Sequence, residues 1–401
     1  VHVVMFGDQH VETLGGAQVS MRLQRRFLEL AGHTVTIVAP AVHGPRGRSI
    51  AADAAYVDLP SMPVTLDREY SMSWPGKRTD RGLDAAMHER PRPDLVHIQA
   101  DFWGALIGYR FAARHGLPVV HTMHNRLDVG IEATTPFPGL VLRVLGAWQR
   151  GSLGTVKTGS DGWSYLRGLA SQASAVTAPS SHFATRLEEH GVFPRVDVVW
   201  NGIDDAILDE VLAEDAGERD PGRPRFVWLG RMSPEKRLLP FLEAVAQSGV
   251  DAEVEVIGGG GQLRAARRLV AKTAPRANVR FAGRLTYAGT LRRIAAADAV
   301  VQTSIGFETQ GMTIFEAASL GTPSIVSDPD LAAELGSGLW RVGTDAAPDE
   351  SVEALAAALR EAAADIAAGR APAVDPSIRE RFRQSSRTAA MIEVYERVSA
   401  H

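Results

Sequence analysis

Cysteine is absent from the 401-residue chain. Disulfides, thiol nucleophiles and thiolate metal sites are therefore excluded, and a reducing cytoplasm is the expected compartment. Long apolar runs are missing too, since none approaches the roughly 18 residues of a membrane-spanning helix. No secretory leader pattern is visible. A strong charge of either sign is lacking: 43 Lys+Arg against 47 Asp+Glu leave a net charge of −4. That balance argues against nucleic acid as a partner. Lysine is scarce, with only Lys77, Lys157, Lys236 and Lys272 beside many arginines. Where arginine is the default cation, a lysine inside a motif suggests a need for a compact point charge, which bears on Lys236.

What is present is an alternation of short apolar strands and amphipathic helices, and it occurs twice. The first series runs from VHVVMF through TVTIVA, DLVHIQ, PVVHTMHN and SAVTAPS to VDVVW. The segment 201–224 interrupts it with no strand period and ends in the turn-rich run AGERDPGRP, which reads as a linker. FVWLG, AEVEVIG, NVRFAG, DAVVQTS and PSIVSD form the second series, with a helix expected over RMSPEKRLLPFLEAVAQ. The pattern predicts an α/β protein of two Rossmann-like, doubly wound domains facing across a cleft. The boundaries are expected at 1–203 and 204–377, with a C-terminal helix over 378–401 packing back on the first domain. The facing strand ends would line the cleft.

Residues 305–322, IGFETQGMTIFEAASLGT, carry the densest chemical signal. Glu308 and Glu316 flank Gly311, in a loop that feeds a helix. Free N–H groups and the helix dipole make such a helix start an anion site, while the carboxylates suit hydroxyl groups. Phosphate donors beside hydroxyl acceptors suggest a sugar nucleotide. A glycosidase pair would need carboxylates about 5–9.5 Å apart. Eight steps of continuous helix would separate these by about 12 Å.

LGRMSPEKR (229–237) places Arg231 and Lys236 after a strand end, where both could clamp a diphosphate. A solvated first turn is the plainer alternative. IGGGGQL, from Ile257, lacks the third glycine of a dinucleotide fingerprint and reads as a structural turn. LGGAQ (14–18), with Gly15 and Gly16, offers either a phosphate or acceptor loop or a simple turn. In HTMHN (121–125) His121 and His124 close a strand, a poor metal site by spacing but one suited to a substrate hydroxyl. His97 reads as a core histidine. Asp328 and Asp330 have the D-x-D spacing of metal-dependent sugar transferases but read as a turn.

Together, GGAQ, HTMH, WNGID, LGRMSPEKR, VIGGGG, VRFAG and FETQGMTIFEAASLGTP resemble the retaining glycosyltransferases of family 4, with the GT-B fold. The resemblance implies that Arg231 and Lys236 bind the donor diphosphate and that Glu308 holds the transferred sugar. Gly311, Met312 and Thr313 would present backbone N–H groups, and Glu316 would bind the ribose. The backbone near Arg284 would receive the base. His124 would lie at the sugar, and Gly16 would be the N-terminal loop glycine. Trp200 departs from the proline the family usually has before Asn-Gly. The implied activity is transfer of a hexose from a nucleotide sugar to a hydroxyl acceptor, with UDP-sugar favoured and GDP-mannose open. No cofactor or essential metal is implied. The wording of ETQGMT and HTMH is closest to the branch making glucosyl-diacylglycerols. A lipid acceptor and an anionic membrane surface are thus candidate partners, the latter met by Arg22, Arg25, Arg26, Lys77, Arg78 and Arg81 at the cytoplasmic face, for which a solvated helix face is an equally good account. A polysaccharide, small-metabolite or natural-product acceptor remains open, as does a nucleotide-sugar epimerase or hydrolase.

Overall fold

The computed structural model describes the chain except residues 14–15, 45–46, 48–49, 51, 65–69, 136, 156–158, 215–222, 345–346 and 401, and the side chains of 132–134. Gly15, Lys157 and most of the 216–224 run thus lie outside the described residues. The chain divides into two compact units: Val1–Gly202 with Gln384–His401, and Ile203–Arg383.

The strands of the first unit are β1 (His2–Gly7), β2 (Thr34–Pro40), β3 (Tyr56–Leu59), β4 (Met62–Pro63), β5 (Ser71–Met72), β6 (Leu95–Gln99), β7 (Val119–Thr122), β8 (Ala175–Ala178) and β9 (Val196–Val198). Seven form one sheet in the order β3-β2-β1-β6-β7-β8-β9, and β4 and β5 form a separate antiparallel pair. Every pairing in the large sheet is parallel. The strands read as continuous apolar runs because both faces are covered. On one face Val4, Phe6 and Ile98 pack with Leu106, Tyr109 and Phe111 of the Trp103–His115 helix. On the other, Val3, Met5 and Val120 meet Met21 and Leu28 of the Gly16–Leu30 helix and Met391 and Tyr395 of the Gln384–Ser399 helix. Each large apolar side chain so buried contributes about 1.5–3 kcal/mol.

The second unit holds β10 (Arg225–Arg231), β11 (Glu253–Gly259), β12 (Asn278–Gly283), β13 (Ala299–Gln302), β14 (Ser324–Val326) and β15 (Leu339–Arg341). These form a parallel sheet in the order β12-β11-β10-β13-β14-β15. Strand order reverses between β1 and β6 in one unit and between β10 and β13 in the other. The carboxyl ends at these switch points are where such sheets bind ligands.

Three expectations are corrected. The 201–224 segment is not wholly irregular: Asp204 caps a helix over Asp205–Ala213, which buries Leu208 and Val211. The helix expected from Arg231 starts instead at Leu238, because Arg237 takes a left-handed conformation (φ 53°) after a 3₁₀ turn, Pro234–Lys236. The C-terminal helix is two helices, Ser377–Phe382 and Gln384–Ser399. Arg383 between them is extended, forming a bridge to Ile203 and pairing with Asp209 at 2.7 Å. Residues 378–383 therefore belong to the second unit, where Phe382 stacks on Phe315 at 5.0 Å.

Candidate active site

At the β10/β13 switch point, the Trp228 indole N–H donates to the Thr303 hydroxyl at 2.9 Å. That hydroxyl in turn donates to the Lys236 carbonyl at 2.6 Å, fixing the 3₁₀ turn beside the end of β13. The Lys236 ammonium then reaches Glu308 in an ion pair, and Ser304 Oγ donates to the same Oε1 at 3.0 Å. Lys236 also lies 5.9 Å from the Phe307 ring centroid. The loop bearing Glu308 is held from below. Asp328 accepts from the Gly306 N–H at 2.7 Å and caps the Pro329–Leu335 helix through the Asp330 N–H at 2.9 Å. The D-x-D segment is therefore a cap. Among the described residues no group of three or more potential metal ligands occurs.

Gly311 is the hinge into the helix Met312–Ser319. Its φ is 70°, and a Cβ there would lie 2.7 Å from Leu331 Cδ1, so the position needs glycine twice over. The N–H groups of Met312 and Thr313 open the helix, where the backbone has no intrahelical acceptors. One turn on, Glu316 is 6% exposed and accepts from the Tyr287 hydroxyl at 2.9 Å. Burial pushes its carboxyl up to about 7, although the phenol hydrogen bond opposes that rise. Tyr287 was not visible as a site residue in the sequence. It opens the helix Tyr287–Ala295 as an ordinary aromatic, and only the fold brings it to Glu316.

The other predicted donor residues lie differently. Arg231 ends β10, is 69% exposed, and pairs with Glu235 at 3.0 Å rather than joining Lys236 and Glu308. Arg284 is exposed in the loop after β12, with its side chain beside Gly259. The glycine run after β11 is a close-packing device: a Cβ on Gly258 (φ 126°) would lie 2.0 Å from the Gly230 carbonyl oxygen. The Met232 N–H donates to the Gly259 carbonyl at 2.9 Å.

In the first unit His124 follows β7, two residues beyond the strand end. Its Nε2 lies 3.1 Å from the Gln99 side-chain oxygen, at the end of β6. Burial lowers its pKa to about 4, so the imidazole is neutral at pH 7. Gln99 donates to Gln24, Gln24 to the Tyr395 hydroxyl at 3.4 Å, and Tyr395 meets His97 Nδ1 at 2.7 Å. His97 continues to Thr122 at 2.7 Å and is fully buried, as a core histidine should be. This chain ties His124 to the Gln384–Ser399 helix. Gln24, Gln99 and Tyr395 carried no sequence signal, because each sits singly on an otherwise apolar face. Gly16 starts the first helix and is exposed. Trp200 packs under the Arg387 guanidinium, 5.5 Å from its ring centroid.

Two doubly wound parallel sheets, one with a glycine-hinged helix beside a cation–carboxylate pair, define a glycosyltransferase of the GT-B class. Residues 14–207 match the model for Glycosyltransferase Family 4, and residues 213–372 match that for Glycosyl transferases group 1. The chain belongs to glycosyltransferase family 4. It is 24% identical over 337 residues to alpha-monoglucosyldiacylglycerol synthase of Streptococcus pneumoniae, covering 81% of this chain and 70% of that protein. It is also 24% identical over 343 residues to the GDP-mannose-dependent alpha-(1-6)-phosphatidylinositol dimannoside mannosyltransferase of Mycobacterium tuberculosis, covering 82% and 79%. Among solved structures, HepE of Anabaena in complex with UDP and glucose aligns with a TM-score of 0.66 at 16% identity, covering 98% of this chain and 99% of that one.

Proposed function

We propose that the protein is a retaining hexosyltransferase that moves a sugar from a nucleotide donor to a hydroxyl of a membrane lipid. The observation carrying this is the Lys236–Glu308 pair beside the Gly311-hinged helix that buries Glu316. In this reading a donor diphosphate competes with Glu308 for the Lys236 ammonium and also meets the Met312 and Thr313 N–H groups. Glu308, freed from the cation, accepts from sugar hydroxyls. Glu316, oriented by Tyr287, accepts from the ribose. Arg231 leaves Glu235 to reach the diphosphate, and the backbone at Arg284 takes the base. His124 and Gly16 serve the sugar and the acceptor loop.

Charge building on the leaving diphosphate is stabilised by Lys236, Arg231 and the helix start, so the chemistry needs no metal. The acceptor oxygen attacks C1 from the face the diphosphate leaves. The C1–O bond to phosphate breaks, and the departing phosphate oxygen takes the acceptor proton, with no covalent enzyme intermediate. Lipid acceptors in the names of both quoted relatives favour a lipid here, with the protein working peripherally at the cytoplasmic membrane face. Among the described residues no helix is long and apolar enough to cross a membrane.

The test is product analysis with UDP-hexoses and GDP-mannose against detergent-dispersed diacylglycerol. A glycolipid with retained anomeric configuration is expected. Sugar release without transfer to any lipid, saccharide or small alcohol would point to a hydrolase instead.

A further inference from the structure

The basic residues expected at a membrane surface separate into two groups. Arg22 donates to the Val11 carbonyl, Arg25 is paired with Glu29 and Asp53, and Arg26 sits over the Phe27 ring. Lys77, Arg78 and Arg81 are exposed on the helix Lys77–His88. The acids of that helix, Asp80 and Asp84, are already paired with Arg110 and Arg114.

Just before this helix stands Trp74, 58% exposed, with its ring 5.1 Å from that of Trp148. Trp148 belongs to the helix Pro138–Leu153, which turns Leu142 and Gln149 inward. Its outer face is apolar: Phe137 at the N-cap, Leu140 and Val144 are 69%, 61% and 60% exposed. A helix on a protein core normally turns charges to that side. This one contains no acid, and its only charges are Arg143 and Arg150. An apolar stripe with arginines and no acids is the composition of a helix that lies in a lipid interface.

We propose that Phe137, Leu140 and Val144, with Trp74, insert into the headgroup–acyl boundary of an anionic leaflet while Lys77, Arg78 and Arg81 meet its phosphates. The charge selects this occupant over a second copy of the chain. A two-fold contact through the same face would set arginines against arginines. An anionic bilayer offers hydrocarbon to the stripe and counter-charge to its borders. The assignment rests on the lipid-acceptor reading and adds the surface that brings the enzyme to its acceptor.

Sedimentation of the full chain with phosphatidylcholine vesicles, with and without phosphatidylglycerol, tests it. Wild type is expected to pellet with the anionic vesicles. Joint replacement Phe137→Ser, Leu140→Ser and Val144→Ser should weaken that binding by about tenfold or more with an unchanged melting temperature, because these side chains support no core. Replacing Lys77, Arg78 and Arg81 with serine should instead abolish the preference for anionic over neutral vesicles. The proposal is overturned if wild type ignores anionic vesicles, if the apolar variant binds like wild type, or if that variant only dissociates a dimer. Transfer to detergent-dispersed diacylglycerol without vesicle binding would remove the docking face and leave the acceptor reading standing.

Discussion

Replacing Glu316 with glutamine should make the protein more stable and less active. Glu316 is buried, and its carboxyl is raised from 4.5 to about 7 in the folded state. Between those values the folded state holds a proton that the unfolded state has lost, so stability falls as pH rises from 4.5 through 7. Above that window the cost of ionising the buried group is fully present. At about 1.36 kcal/mol per pKa unit, a rise of roughly 2.5 units corresponds to about 3 kcal/mol. Glutamine keeps the side-chain oxygen that accepts from Tyr287 and carries no charge. The variant should therefore gain on the order of 3 kcal/mol over wild type at pH 8, and less than about 1 kcal/mol at pH 5. Urea denaturation of both proteins at the two pH values reads this directly, because the midpoint shift at constant slope is the stability change. An equal gain at both pH values, or none at pH 8, would refute the argument that a buried charge is being held at a cost. The site would be giving up stability for a carboxylate placed to bind hydroxyls.

The same ionisation makes nucleotide binding pH-dependent. Donor affinity should strengthen as pH rises from 6 to 8 in wild type and stay flat in Glu316→Gln, as measured by fluorescence or calorimetric titration. Gly311→Ala should destabilise by about 2–4 kcal/mol, combining the left-handed backbone with the Leu331 clash, and should weaken donor binding when the helix start shifts. Tyr395→Phe should cost about 1–3 kcal/mol in thermal or urea unfolding, because it strands His97 Nδ1 in the core.

Much of the architecture could be read from period and punctuation. Parallel strands buried on both faces announce themselves as apolar runs, and Gly311 stands where a loop must turn into a helix. The misreadings have local causes. Arg237 looks like any helical arginine, yet its left-handed backbone ends the turn that carries Lys236. Helical periodicity continues through 377–398, but the pairing of Arg383 with Asp209 comes from a distant helix and breaks it. Tyr287, Gln24, Gln99 and Tyr395 act through contacts 25 to 371 residues away in sequence, which no local pattern encodes. The apolar stripe on 138–153 was equally hidden, since periodicity shows that a face is apolar but not whether the fold covers it.

Titration calorimetry with UDP, GDP and a UDP-hexose tests most directly whether the β10/β13 switch point is a sugar-nucleotide clamp. Wild type is expected to bind one of the nucleoside diphosphates. Lys236→Ala and Glu316→Ala should each weaken that binding by about tenfold or more, the loss of one charge-assisted contact. Absence of nucleotide binding, or wild-type affinity in both variants, would contradict the clamp.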